Sequence, residues 1–338
     1  MRILVLHSDV APGAPPDELD TLAQAKAVAA ALEVNGHAAF CAAFAPDRSS
    51  LRTLIGLAKA DAVFNLVESV WGRGSYAPLA AQMLDEIDVF FTGTRAGTMA
   101  TTGDKLLTKR LLAGAGLPTP SWSEPPDWNE FTSGGRWIVK SADEDASVGL
   151  DDGSVVSTRA EATARAESCA ARHGGRWFAE RYIEGREFNV AVAEQDGRAR
   201  VLPIAEMRFE RWREDRPRIV GYAAKWDQSA ADARNTVRDF GWSVREPDLC
   251  RALGHLSKEC WSLFACRGYV RVDFRVDAAG SPFILEINPN PCLEPEAGFA
   301  AAAAHAGLSY VDLVDHILRA GIGATAADVP RHRASGGR

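Results

Sequence analysis

Short apolar runs alternate with longer segments of helical period through the first hundred residues. The runs at 3–6, 37–41, 62–67 and 89–91 have the length and composition of buried strands. Between them, segments 17–35 (closed by Gly36), 49–59 and 76–86 repeat their apolar positions every three or four residues, as amphipathic helices do. Strand and helix in alternation predict an α/β unit with an open, doubly wound parallel sheet. After a further helix at 105–113 the pattern breaks. Pro118, Pro120, Pro125 and Pro126 crowd a segment that also holds Trp122 and Trp128, and proline at this density continues neither a helix nor a central strand. That segment reads as a packed linker.

From residue 136 the pattern shortens to hairpins. Strands are expected at 137–140, 154–156, 177–181, 187–193 and 199–204, the last two joined by the Asp196-Gly197 turn, with a helix at 160–171. A helix at 247–264 precedes strands at 268–276 and 283–288, and helices at 294–304 and 309–319 follow. Residues 322–338 lack any apolar period and are expected to be a disordered tail.

Composition narrows the class. A chain of 338 residues with 46% hydrophobic positions has apolar mass for more than one core, which excludes a stapled miniature scaffold. No stretch approaches the ~20 uncharged apolar positions of a membrane helix. The run after Met1 is too short for a signal-peptide core, so a cytoplasmic protein without membrane attachment is expected. A formal charge of −7 with no Lys/Arg-rich block argues against a nucleic-acid partner. Six scattered cysteines without a CxxC pair indicate neither structural zinc nor a disulfide framework.

Two segments imitate phosphate loops and fail on position. Gly72-Arg73-Gly74-Ser75-Tyr76-Ala77 has the GxGxxA spacing but follows the third strand, whereas the dinucleotide fingerprint belongs to the first strand-to-helix turn. Residues 97–105 miss the GxxxxGK[ST] spacing by one residue.

The stronger signal lies in Arg271-Val272-Asp273-Phe274-Arg275 and Ile284-Leu285-Glu286-Ile287-Asn288. Alternation along a strand puts Arg271, Asp273 and Arg275 on one face, and Ile284, Glu286 and Asn288 on one face. A turn at 277–281 that pairs Asp277 with Pro282 sets Asp273 opposite Glu286 and Arg271 opposite Asn288. Like charges opposed across a ladder destabilise it, so a cation is expected between the acids. One candidate is Mg²⁺, which takes a few protein oxygens and completes its shell with phosphate and water. The other is an ion-pair ladder in which Arg271 and Arg275 neutralise the acids. Pro289-Asn290-Pro291 ends the strand and leaves Asn288 at its tip, which favours the metal. On the opposed-acid reading, Glu286→Gln leaves the metal-free fold intact or more stable.

With these strands the chain resembles the ATP-grasp superfamily, and within it the D-alanine–D-alanine ligases. The likeness runs from Met1 to about Gly321. It is carried, in family order, by Gly103-Asp104-Lys105 with Thr108-Lys109, Ile138-Val139-Lys140, Ser147-Val148-Gly149, Phe178 through Phe188, Lys225-Trp226, Arg271-Val272-Asp273 and Glu286-Ile287-Asn288. The resemblance implies a pre-ATP-grasp domain at 1–98, a central lid-side lobe at 99–183 and a metal-side lobe at 184–321. Lys105, Lys140 and Lys225 are then the phosphate-gripping lysines. Glu180 and the backbone of Arg181 and Ile183 form the adenine hinge, and Glu187 accepts from the ribose hydroxyls. Asp145 to Gly149 is the lid loop. Asp273, Glu286 and Asn288 hold two Mg²⁺ ions, which Mn²⁺ can replace. Arg271, with Lys225 and Ser147, is the catalytic set.

The implied activity is an ATP-dependent ligase that joins a small carboxylate to an amine through an acyl phosphate. The implied assembly is compatible with a homodimer. An ATP-grasp phosphotransferase acting on a hydroxyl or on bicarbonate, or a non-catalytic ATP-binding protein, are the alternatives. Three departures argue against D-alanine as the substrate pair. Asp145-Ala146-Ser147 replaces the family's Gly-Ser-Ser, Trp226 replaces a tyrosine, and Pro291 runs into Cys292-Leu293-Glu294 in place of Pro-Gly-Met-Thr. Asp17 or Glu18 best matches an N-terminal glutamate that orients the amino acid, Glu68 is a further candidate, and Ser147 with Tyr222 is the alternative source of the missing hydroxyls.

Overall fold

A computed structural model describes residues 1–227 and 229–328. Strands β1 (Arg2–His7), β2 (Ala38–Ala43), β3 (Ala62–Leu66) and β4 (Phe90–Phe91) form a parallel sheet in the order β2-β1-β3-β4. Helix α1 (Pro16–Val34) covers one face through Ala25, Val28 and Leu32 against Ile3, Val5 and Phe64. Helices α2 (Arg48–Ala58) and α3 (Pro78–Ile87) cover the other through Leu51, Ala80 and Leu84 against Leu4, Leu6 and Val63. Covered on both sides, β3 is buried at every position, its one polar residue, Asn65, included. The strand order reverses between β1 and β3, and such a reversal opens a crevice at the carboxyl ends of the two strands.

Helices α4 (Ala96–Gly103) and α5 (Lys105–Gly114) follow. The first was not expected, because Gly and Thr are poor helix formers. Asp104 separates the two and caps the second, its Oδ1 accepting the N–H groups of Leu106 and Leu107 at 3.0 Å each. Residues 97–105 therefore form helix ends and no phosphate loop. The proline-rich segment does more than link. It contributes β5 (Trp122–Ser123), and Trp128 is buried with Phe131 and Trp137. Proline is tolerated there because a two-residue strand at a sheet edge leaves its flanks free of ladder bonds. That sheet is completed by β6 (Trp137–Ser141), β7 (Val155–Val156) and β8 (Trp177–Arg181), antiparallel in the order β5-β8-β6-β7, with α6 (Arg159–His173) packed on it.

The largest sheet holds β9 (Arg186–Gln195), β10 (Arg198–Val201), β11 (Ala205–Phe209), β12 (Thr236–Asp239), β13 (Tyr269–Val276) and β14 (Pro282–Asn288). Its order is β12-β11-β9-β13-β14, with β10 beside β9. Between β11 and β13 lie the short helices α7 (Tyr222–Trp226), α8 (Ala231–Asn235) and α9 (Trp242–Arg245), and the long α10 (Pro247–Leu263). Period-2 alternation divides the sheet chemically. Phe188, Val190, Val192, Val270, Val272, Phe274 and Val276 pack on Leu253 and Cys260 of α10, and the intervening polar residues face the opposite way. Where the chain enters β9, Gly185 has φ 151, and a Cβ there would lie 2.0 Å from the Val276 carbonyl oxygen, so only glycine fits.

The last helices, α11 (Gly298–His305) and α12 (Tyr310–Asp328), join the N-terminal sheet in one core through Phe299, Leu313, Val314, Ile317 and Leu318. The expected tail begins as helix. Gly321 allows it, because a Cβ there would meet the Phe91 carbonyl oxygen at 2.9 Å, and Ile322 packs against the same core. The rest of that tail, 329–338, lies outside the described residues.

Candidate active site

The expected register holds where the chemistry sits. Arg271 pairs with Asn288, Val272 with Ile287 and Asp273 with Glu286. Beyond Asp273 the register slips by one, so Phe274 faces Ile284 and Arg275 faces Phe283. This β-bulge corrects the expected face of β14. Ile284 turns into the core, and Leu285 joins Glu286 on the polar side.

Asp273 is nearly buried and is held on two sides. Arg271 Nε and Nη2 donate to its two oxygens at 2.7 and 2.8 Å, and Asn189 Nδ2 donates to Oδ1 at 2.8 Å. Glu286 stands 3.5 Å from Lys105 Nζ. Burial alone raises the Glu286 carboxyl, but Lys105, Lys140, Lys225 and Arg271 together hold it well below the ordinary carboxylate range. The acids are therefore balanced by lysines from outside the sheet and by Arg271. Arg275 pairs with Glu187 at 3.2 Å instead of with either acid. Burial raises the Glu187 carboxyl, which Arg275 partly offsets.

The structure brings Lys105, Lys140, Ser147, Glu180, Arg181, Ile183, Glu187, Lys225, Asp273 and Glu286 around one cavity of ≈ 110 Å³. Arg271 lies beside it through Asp273, and Asn288 ends β14 with its Oδ1 accepting the Asn290 N–H at 3.0 Å. Ligand pockets usually span about 300–1,000 Å³, so this cleft is shut. The lid shuts it. Lys105 Nζ donates to Asp145 Oδ1 at 2.6 Å and to the Glu144 carbonyl at 2.8 Å, so a lid carboxylate occupies the lysine expected to meet phosphate. Ser147 Oγ donates to the Val220 carbonyl at 2.8 Å, and Trp226 Nε1 donates to the Ala146 carbonyl at 3.0 Å. Ala146 and Ser147 both take positive φ, of 58° and 60°, a strained pair for residues with a Cβ.

The Glu180 carboxylate is buried between Lys109 Nζ at 2.6 Å and Lys140 Nζ at 2.7 Å, so in this structure it is committed to two lysines. Lys109, one helical turn after Lys105 on α5, was not singled out as a site residue, although the i, i+4 spacing puts both ammonium groups on one face. It is fully buried and also donates to Thr119 Oγ1 at 2.9 Å and the Pro120 carbonyl at 3.1 Å. Burial and the neighbouring Lys140 lower its ammonium to about 8, against the pull of Glu180.

A second cavity of ≈ 870 Å³ adjoins the first and shares Glu144, Val148, Leu150 and Ile219 with it. Asp17, Glu18, Trp71 and Tyr222 also line it. The Tyr222 hydroxyl donates to Asp17 Oδ1 at 2.6 Å. Trp226 is turned to the lid. Gly74 of the false fingerprint donates its N–H to Glu144 Oε2 at 2.9 Å and so supports the lid. Among the described residues no group of three or more His, Cys, Asp or Glu surrounds a common point. Two opposed carboxylates and an amide oxygen fit Mg²⁺ all the same, because that ion takes one or two carboxylates and fills its shell with substrate phosphate.

A parallel sheet followed by two antiparallel sheets, with a lysine-lined cleft closed by a lid, defines the ATP-grasp class. A family model described as D-ala D-ala ligase C-terminus matches residues 133–319. The chain is 31% identical over 258 residues to the uncharacterized protein y4sG of Sinorhizobium fredii, covering 76% of this chain and 73% of that one. It is also 31% identical over 241 residues to a D-alanine–D-alanine ligase of Saccharophagus degradans, covering 70% of each. Among solved structures, the ligase of that name from Bacillus anthracis complexed with ATP superimposes with a TM-score of 0.75 at 20% identity, over 97% of this chain and 100% of that one. The Coxiella burnetii ligase gives 0.70 at 17% identity, over 97% of both. The chain belongs to the D-alanine–D-alanine ligase family of ATP-grasp enzymes, which are ATP-dependent carboxylate–amine ligases. No described helix is long and apolar enough to cross a membrane.

Proposed function

We propose that the protein activates a small carboxylate with ATP and joins it to an amine, releasing ADP and phosphate. The observation that carries this reading is the polar face of β13 and β14, with Arg271, Asp273 and Glu286 set against Lys105, Lys140 and Lys225. When the lid opens, Lys105 exchanges Asp145 for the nucleotide's phosphates, and Lys140 and Lys225 flank them. Glu187 meets the ribose, and the Arg181 and Ile183 main chain meets adenine. Asp273, Glu286 and Asn288 would hold Mg²⁺, which supplies charge neutralisation on the phosphates.

A carboxylate oxygen of the substrate then attacks the γ-phosphorus, and the β–γ bridge breaks to release ADP. The amine nitrogen attacks the acyl carbon, a C–N bond forms, and phosphate departs with the former carboxylate oxygen. Arg271 spends two N–H groups on Asp273 and keeps donors for the oxyanion of the tetrahedral intermediate. Ser147 holds the lid through Val220. No side chain need act as a covalent nucleophile. In this reading 1–98, 99–183 and 184–321 are the working divisions of the chain, and the cytoplasm is its compartment.

The substrate pair differs from D-alanine with D-alanine. Ala146 has no polar atom, Trp226 is committed to the lid, and the adjoining cavity is far larger than alanine requires. A screen of ADP release with Mg-ATP across amino acids and dipeptides of both chiralities tests the reaction. Formation of D-alanyl-D-alanine at about 1 per second or faster, a rate typical of a native substrate, defeats the specificity.

A further inference from the structure

Glu68 follows β3, and Ser8 follows β1, at the carboxyl-end crevice where the strand order of the parallel sheet reverses. Open α/β sheets place ligands at that point. The Ser8 hydroxyl accepts the N–H groups of Glu68 and Ser69 at 3.0 Å each, which fixes the turn. Buried Gln24 of α1 then orients the carboxylate. Its Nε2 donates to Glu68 Oε1 at 2.7 Å, and its Oε1 accepts the Leu293 N–H at 2.7 Å from the loop that follows β14. Asn290 of that loop also donates to the Val67 carbonyl at 3.2 Å. Glu68 is thus locked to the strand pair that carries Arg271, and it is itself exposed.

Asp273, Glu286, Asp145 and Glu68 are among the carboxylates that bear on Arg271 electrostatically. The first is bonded by Arg271 itself, and the next two face Lys105. Glu68 differs, because the partner that orients it is the neutral amide of Gln24. Cys292 is no rival, since its Sγ donates to Asp20 Oδ2 at 3.1 Å and burial raises its thiol well above the ordinary value. The Tyr269 hydroxyl is likewise buried, donating to Asn290 Oδ1 at 2.6 Å.

Building on the ligase reading above, we infer that Glu68 is the catalytic residue that receives the amine substrate, binding its ammonium group and accepting the proton it must lose before attack. The ammonium gives one proton to Glu68, and the freed nitrogen forms the C–N bond at the acyl carbon. Phosphate leaves as the C–O bond breaks and carries away the second proton. Although Glu68 is exposed, the protein packed around it raises its carboxyl to about 7, with Asp20 and Asp145 adding to the rise and Gln24 and Arg271 opposing it. A base poised there exchanges protons near neutrality.

Hydroxylamine separates this role from the rest of the reaction, because it is unprotonated at neutral pH and needs no base. The wild type is given Mg-ATP, hydroxylamine and each D- or L-amino acid as carboxylate, and hydroxamate is measured. Amide formation between the same acids, whose amines are protonated, is measured in parallel. In Glu68→Gln, transfer to amino acids is expected to fall about 10²–10⁴-fold, and transfer to hydroxylamine less than about tenfold. Glu68→Asp is expected to recover part of the loss. An equal fall in both transfers, or no fall in either, overturns the role of Glu68. Absence of hydroxamate from the wild type with every acid overturns the ligase reading itself.

Discussion

The buried group of Lys109, Glu180 and Lys140 gives the sharpest stability prediction. Glu180→Gln keeps the shape of the side chain and removes its charge, leaving two ammonium groups whose carboxylate partner stood 2.6 and 2.7 Å away. Breaking a buried pair from one side costs about 3–5 kcal/mol. At ~2.1 cal/mol/K per residue, cooperative unfolding of the 338-residue chain converts that loss to a fall of about 4–7 °C in Tm. The loss depends on pH in a stated direction. Lys109 is held near 8 in the fold, below its ordinary value, so the unfolded chain binds the extra proton and this group's contribution to stability rises with pH above 8. Without Glu180 that rise begins at lower pH, because the stranded ammonium sheds its proton sooner. The gap between variant and parent therefore narrows from pH 6 to pH 9. Adding Lys109→Met removes the stranded charge and is expected to recover part of the Tm. Thermal melts of parent, single and double variants across pH decide the matter. A single variant within about 1 °C of the parent, or a double variant less stable than the single at pH 6, refutes the reasoning.

Asp145→Asn frees Lys105 from its lid carboxylate and is expected to tighten ATP binding up to about fivefold, the value of a partly exposed pair of about 0.2–1 kcal/mol; weaker binding by calorimetry contradicts the gating contact. Glu286→Gln reverses the expectation drawn from opposed acids, since four cations surround this carboxylate. The metal-free variant should lose about 1–3 kcal/mol, less than a sole partner would because Lys105 keeps Asp145, and an unchanged or raised Tm counts against this. Glu180 and Glu286 are both held below the ordinary carboxylate range, so they stabilise the fold above pH ~4.3 and lose that contribution as pH falls further; a Tm flat from pH 6 to pH 3 contradicts the assignment.

The parts of this site that were legible in the sequence are those fixed locally. Strand alternation with a turn pairing Asp277 and Pro282 set Asp273 opposite Glu286; Pro282 in fact pairs with Val276, and the bulge restores the acid pair, while the pairing of Arg271 with Asp273 was open as the alternative to metal. The bulge at Leu285 was not legible, because it is set by packing between strands. The lysine partners of Glu180 were not legible for a related reason: they approach from α5 and from β6, and nothing near Glu180 in the chain signals them. The elements between 205 and 245 were missed because they are four or five residues long, too short for any period to show. Gln24 and Glu68, 44 residues apart in sequence, meet only through the winding of the N-terminal sheet.

The most direct test follows one oxygen atom. A carboxylate donor that supports ADP release is prepared with ¹⁸O in its carboxyl group and turned over with Mg-ATP and an amine, and the released phosphate is examined by mass spectrometry. Attack of the carboxylate on the γ-phosphorus followed by amine attack on carbon predicts one labelled oxygen in each phosphate. Unlabelled phosphate, or a phosphorylated product with no phosphate released, contradicts the acyl-phosphate ligase.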